Sequence, residues 1–241
     1  MRVATLVIAV LQTRAMRDLY LRKILVVAAF PLCCLGPVLA QSAAKDVHKI
    51  AEGVDNHYNH LQTLEAEFNE SYRGNGIDRS EGGVLWLKKP RKMRWEYRSP
   101  REKLFLSDGK DAWFYVPGEK QVRKEPFQKL EDLRSPLGFL LGKAKLEKEL
   151  QGLSLATDVV PVDAKNTVLR GVPKALGERI SQVQLEISPG NRIELIRIEE
   201  ADGAVTEYRL SEQKENVKLG DDRFRFSPPP GVETIEGDLS Q

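Results

Sequence analysis

Apolar and polar positions alternate with a period of two along most of this chain, and the exceptions fall in three places. Leu64, Ala66 and Phe68 share one side of the chain while Glu65, Glu67 and Asn69 share the other, which is the signature of a half-buried strand. A glycine-rich turn, Gly74-Asn75-Gly76, follows. Leu85, Leu87 and Lys89 then line one face, and Val84, Trp86 and Lys88 the opposite one, until Pro90 ends the run. Met93, Trp95 and Tyr97 alternate with Lys92, Arg94, Glu96 and Arg98, and Ser99-Pro100 turns the chain. Residues 104–106 and 112–116 pair about the hairpin turn Ser107-Asp108-Gly109-Lys110, and 121–125 reads as the next strand.

Strand patterns resume later. Leu153, Leu155, Thr157 and Val159 alternate, as do Val183, Leu185 and Ile187. Residues 193–198 and 205–210 flank the turn Ala201-Asp202-Gly203, and Phe224-Arg225-Phe226 precedes Ser227-Pro228-Pro229.

Two of the exceptions are helical. Val47, Ile50, Val54, Tyr58 and Leu61 recur every three or four residues and predict one amphipathic helix. Its surface carries the three histidines, His48, His57 and His60. His57 and His60 could share a face, but no third metal ligand lies near them, so solvated helix surface is the better reading. Residues 129–150 lack alternation. There Ser135-Pro136 supplies an N-cap and a first helical position ahead of Leu137, Phe139, Leu140 and Leu141.

The order is therefore helix, about six strands, a helical insert, then about five strands, with short turns that favour antiparallel pairing. The expected class is mainly β with α: an unclosed antiparallel β-barrel, or half-barrel, with helices against one face. No linker splits residues 41–241, so they are expected to form a single domain.

The third exception is the N-terminus. Residues 24–40 are apolar and uncharged, follow Arg17, Arg22 and Lys23, and end in Val38-Leu39-Ala40, a signal-peptidase pattern. Pro31, Gly36 and Pro37 interrupt a run already short for a membrane span. Residues 1–40 are thus expected to be a secretion signal cleaved after about Ala40. A second apolar run at 3–11 lies upstream, and Met16 opens a conventional signal by itself, so Met1 and Met16 both stand as starts.

Cleavage there removes Cys33 and Cys34, the only cysteines, and with them any disulfide, thiolate metal site or cysteine nucleophile. It also removes Arg2, Arg14, Arg17, Arg22 and Lys23 against Asp18. Of 37 basic and 35 acidic residues, 32 and 34 then remain, a near-neutral balance that argues against nucleic acid as a partner.

Catalytic motifs are missing from the sequence: there is no Gly-x-Ser-x-Gly, His-Glu-x-x-His, phosphate loop or nucleotide fingerprint. No catalytic residue, metal ligand or cofactor is assigned, and an enzyme is not expected. What stands out is the aromatic group Trp95, Tyr97, Phe105, Trp113 and Phe114 in neighbouring strands. Pattern alone does not separate a filled core from an apolar cavity.

Three stretches bear on that choice: residues 85–90 (Leu-Trp-Leu-Lys-Lys-Pro), residues 93–97 (Met-Arg-Trp-Glu-Tyr), and Ser107-Asp108-Gly109-Lys110 with Trp113-Phe114-Tyr115. With Ser135-Pro136-Leu137 and the closing Phe224-Arg225-Phe226-Ser227-Pro228-Pro229, they resemble the LolA-type outer-membrane lipoprotein carriers, in order, over nearly the whole expected mature chain. The resemblance implies a half-barrel with a helical lid and an apolar interior for acyl chains.

Carried over by position, Leu85, Leu87, Met93, Trp95, Tyr97 and Phe105 would line the acyl-chain cavity. Leu137, Phe139, Leu140 and Leu141 would line the lid. Lys89 stands where the family commonly has an arginine that holds the lid by its carbonyls. Lysine keeps the charge but loses the planar fork.

The implied role is a monomeric periplasmic chaperone that takes triacylated lipoproteins from an inner-membrane ABC transporter to an outer-membrane acceptor, without a cofactor. The alternative is a periplasmic lipid-binding sensor or regulatory interaction domain on the same half-barrel.

Overall fold

The computed structural model describes residues 36–127, 140 and 145–237, with side chains from residue 46 onward. The chain divides after Lys45, and the unit Asp46–Gln241 holds the sheet and its core. Helix α1 (Gly36–His60) presents the predicted stripe. Val47, Ala51, Val54 and Tyr58 are buried, Ile50 is partly buried, and Leu61 is buried as the chain leaves the helix.

Six strands follow: β1 (Thr63–Gly74), β2 (Ile77–Lys88), β3 (Lys92–Ser99), β4 (Lys103–Asp108), β5 (Asp111–Tyr115) and β6 (Gln121–Pro126). The short helix α2 (Leu146–Glu149) leads into β7 (Leu150–Leu155), β8 (Thr167–Pro173), β9 (Ile180–Ile187), β10 (Ile193–Glu200) and β11 (Val205–Glu215). A 3-10 turn (Asp221–Phe224) and strand β12 (Glu233–Glu236) close the described chain.

All twelve strands form one open sheet, in the order β12-β6-β5-β4-β3-β2-β1-β11-β10-β9-β8-β7. The chain enters in the middle at β1 and meanders outward to β6. Strand β7 then lies at the opposite edge, and the chain meanders back until β11 pairs with β1. Every pair is antiparallel except β12 with β6, which is parallel. The sheet does not close into a barrel, as the periodicity and the resemblance predict.

Several expectations need correction. Thr157 and Val159 do not continue β7. They belong to a turn in which the Val159 N–H donates to the Ala156 carbonyl. The loop beyond is pinned by the buried Glu186 carboxylate, which accepts from the Val162 and Asp163 N–H groups and the Asn166 amide. Strand β8, which carries Gly171 and Pro173, has no counterpart among the expected strands. Gly171 is required because a Cβ there would stand 2.9 Å from that of Leu150 on β7. Phe224-Arg225-Phe226 is not the C-terminal strand. Phe224 ends the 3-10 turn, and the last strand among the described residues is the polar segment Glu233–Glu236.

The hairpin turn at Asp108 is as expected. Its Oδ1 accepts from the Lys110 and Asp111 N–H groups at 2.8 and 2.9 Å, and Gly109 supplies a positive φ of 97°.

Both faces of the β2–β5 region are apolar and each is covered. On the inner face, where α1 packs, Leu85, Leu87 and Trp95 join one large core with Leu64, Ala66, Phe68 and the inward residues of β8–β11. On the outer face, Val84 and Trp86 pack with Leu219 and Phe224. Beside them Leu106, Trp113 and Val122 pack with Phe226 and Val232. Trp113 therefore does not join Trp95 and Phe105: neighbours in β5 point to opposite faces, and Phe114 is its inward one.

Candidate functional site

The cross-strand register builds the inner face in layers. Leu64 pairs with Leu87, and Leu87 with Met93. One layer on, Ala66, Leu85, Trp95, Phe105 and Phe114 stand in a row across five strands. Phe68, Gly83 and Tyr97 form the next layer. Gly83 is obligatory, because a Cβ would stand 1.8 Å from the Glu96 carbonyl oxygen.

The aromatic rings interlock edge to face. The Phe68 centroid lies 4.8 Å from that of Trp95 and 4.9 Å from that of Tyr97, and Tyr208 lies 6.1 Å from Trp95. Leu85, Leu87 and Trp95 are at most 5% exposed, while Met93, Tyr97 and Phe105 are partly buried against the same core. All six residues expected to line a cavity are thus brought to one apolar surface.

Of the four expected lid residues, Leu140 is buried in that core. Leu137, Phe139 and Leu141 lie outside the described residues. Beyond them, the Leu146 N–H at the head of α2 donates to Asp55 Oδ1 of α1 at 3.0 Å. His48 Nδ1 of α1 lies 2.9 Å from Glu147 Oε1. Glu147 raises the His48 pKa through that hydrogen bond and its charge. Burial raises that of Asp55, opposed by the bond from Leu146.

Lys89 stands at the end of β2. Its ammonium donates to the Tyr58 carbonyl and, at 3.2 Å, to the Asn59 carbonyl, both in the last turn of α1. A cation on the last carbonyls of a helix satisfies orphan acceptors and complements the helix dipole. The same end is tied by His57 Nε2, 3.0 Å from Glu215 Oε1, by the Gln62 N–H donating to Asn216, and by the Ile193 N–H donating to the Tyr58 hydroxyl. His57 is therefore a tether rather than bare surface. His60 Nδ1 lies 2.7 Å from the Asn56 carbonyl, and no metal cluster occurs among the described residues.

The opposite end of the inner face holds charges. Glu70 continues the inward series Leu64, Ala66, Phe68, and Glu81 opposes it directly on β2. Both are buried. Glu70 accepts from the Tyr97 hydroxyl at 2.9 Å, and Glu81 from Lys103. Arg79 lies 3.7 Å from Glu70 and 3.6 Å from Glu81. Burial raises the Glu70 pKa, against the pull of the Tyr97 hydrogen bond, and neighbouring Glu81 adds to the rise. Burial likewise raises Tyr97 and Tyr208, with Glu70 contributing. A usable sequence signal exists: a carboxylate at an inward position of an otherwise apolar series.

Comparisons with known proteins agree with this arrangement. Residues 59–227 match the family described as outer membrane lipoprotein carrier protein LolA. An outer-membrane lipoprotein carrier protein of Dechloromonas aromatica is 28% identical over 226 residues, 91% of this chain and 99% of that protein. One from Chromobacterium violaceum is 28% identical over 177 residues, 73% of this chain and 82% of that protein. Among solved structures, a conserved protein from Thermus thermophilus shares the fold with a TM-score of 0.53 at 13% identity, covering 80% of this chain and 99% of that one. With a match across most of its length, embracing both the layered inner face and the Lys89 strand end, this chain belongs to the outer membrane lipoprotein carrier protein LolA family.

Proposed function

We propose that this protein is a periplasmic lipoprotein carrier that shields acyl chains on the inner face of its sheet between the inner and outer membranes. One observation carries the reading: the row Ala66–Leu85–Trp95–Phe105–Phe114 is an apolar surface five strands wide on the face where α1 packs.

Burial of an acyl chain is worth about 0.8 kcal/mol per methylene, so three long chains do not pass through water unaided. A carrier has to cover them and still release them. Leu85, Trp95 and Leu140 are themselves nearly fully buried, so loading exchanges one apolar cover, the protein's own, for another. That exchange lowers net affinity and keeps apolar surface from water when cargo is absent.

In this scheme Leu85, Leu87, Met93, Trp95, Tyr97 and Phe105 receive the chains. Leu137, Phe139, Leu140 and Leu141 form the lid, and Lys89 sets how firmly the cover is held. Transfer follows affinity differences from an ABC-transporter donor to an outer-membrane acceptor, and the carrier itself needs neither nucleotide nor cofactor.

The test is capture of a synthetic triacylated lipopeptide by the purified protein, read by native mass spectrometry. The wild type is expected to hold the peptide. Trp95→Glu and Leu140→Glu are expected to lose it while retaining a β-rich circular dichroism spectrum. Normal capture by both variants would sink the cavity assignment.

A further inference from the structure

The two ends of the apolar inner face differ in a way that the carrier reading does not use. At one end the last turn of α1, Lys89, the His57–Glu215 pair and Asn216 close the layer Leu64–Leu87–Met93 with polar contacts from protein to protein. At the other, two residues beyond Phe68–Gly83–Tyr97, Glu70 and Glu81 are followed by the exposed strand tips Asp78, Arg79 and Ser80. Strands rise about 3.3 Å per residue, so roughly 20 Å of apolar surface separates the sealed end from the charged one.

Within the charged end, Glu70 and Glu81 sit directly cross-strand, a placement that destabilises a sheet unless it is compensated. Apolar side chains there would cost less. The compensation is uneven. Lys103 is tightly bound to Glu81 and lies 4.5 Å over the Tyr97 ring. Arg79 is half-exposed, and both its ion pairs are longer than a hydrogen bond. A guanidinium has five donors, so Arg79, which lies 5.5 Å over the Tyr72 ring, can give hydrogen bonds to an incoming acceptor without losing a hydrogen bond from either of its long ion pairs. The four formal charges balance, which suits a dipolar group better than an ion.

We propose that Glu70, Arg79, Glu81 and Lys103 form a headgroup collar. It takes the ester and amide groups at the root of the acyl chains, and the methyl ends point toward Lys89. This inference rests on the carrier reading and deepens it. Arg79 donates to ester or amide carbonyls, and Glu70, held by Tyr97, accepts from amide N–H groups. An amphiphile laid on such a surface orients itself, because its polar root is stranded if it faces the sealed end.

Paramagnetic NMR of the purified protein tests the orientation. The probe is a synthetic diacylglyceryl-cysteine peptide carrying a nitroxide either beside the ester or at the methyl end of one chain. The methyl-end label is expected to broaden the amides of Leu64 and Leu87, and the ester-side label those of Glu70, Glu81 and Lys103. Arg79→Gln is expected to weaken binding about tenfold, the scale of one charged hydrogen bond, with only a small loss of thermal stability, since its ion pairs are long and half-exposed. A reversed broadening pattern, or unchanged affinity in Arg79→Gln, overturns the collar while the carrier reading stands. No binding by the wild type overturns both.

Discussion

The two faces of the β2–β5 region are about equally buried yet are covered by different means. The outer face is strapped down by the C-terminal segment. Lys88 donates to the Leu219 carbonyl, Arg94 to that of Arg223, and Asp221 bridges Lys88 and Lys92. The Arg223 guanidinium lies 4.4 Å over Trp86. These bonds surround Phe224 and leave it 1% exposed. The inner face is covered by α1 and Leu140, and at the Lys89 end α1 is held through its terminal carbonyls and the His57–Glu215 contact. Burial alone therefore does not mark a binding surface. The two covers differ in what holds them: the outer one bonds directly to β2 and β3, while α1 is tied at its last turn and, through His48 and Asp55, to α2.

This contrast is breakable. The largest effect is expected on the outer face. Phe224→Ala should cost about 3–5 kcal/mol in denaturant unfolding and leave lipopeptide capture per folded molecule unchanged. Reduced capture at unchanged stability would erase the distinction between the faces. On the inner face, Phe105→Ala removes a partly buried ring and should cost about 1–2 kcal/mol, while capture of the triacylated peptide falls about tenfold, roughly 1.4 kcal/mol.

Lys89→Met should cost about 0.5–1 kcal/mol and speed hydrogen exchange in the last turn of α1, whereas Lys89→Arg should restore protection. Slow exchange in Lys89→Met would mean that the ammonium does not hold the helix.

The smallest effect is in pH. The raised His48 pKa means that its contribution is present in full below the ordinary histidine value and is lost as pH rises through the raised one. Asp221 is held at about 2 by Lys88 and Lys92, so its contribution is present above the ordinary aspartate value and lost only as pH falls through about 2. Mild alkali should therefore loosen the α1–α2 contact and not the strap. NMR titration of His48 in the wild type and in Glu147→Gln would reveal a return toward the ordinary value in the variant.

Much of this is legible in the sequence because strand period and turn chemistry are local. The parity of Leu85, Leu87 and Lys89 against Val84, Trp86 and Lys88 holds in the structure, and so does the stripe on α1. What fails depends on partners distant in sequence. Strand β8 survives Gly171 because Leu150 packs there. Strand β12 exists because β6 offers an edge to a polar segment. Trp113 groups with Trp95 in the sequence because composition counts rings without assigning faces. The pairing at the charged end is hidden for a similar reason: the alternation puts Glu70 inward, but Glu70 and Glu81 lie on neighbouring strands, and only the register sets them opposite each other.

The route of the chain, from the centre of the sheet to one edge and then across to the other, has a kinetic consequence. The central seam joins Leu64 to Glu215, so β1 finds its second neighbour only after β11 has been made. Until then the β1–β6 meander has an open edge at β1, with Leu64, Ala66 and Phe68 on its inner face, and no C-terminal strap over Trp86 and Trp113. Closing so long a loop is entropically costly and slow. The interval between emergence and seam closure is when this chain is most exposed to aggregation, and it is set by topology rather than by any single residue.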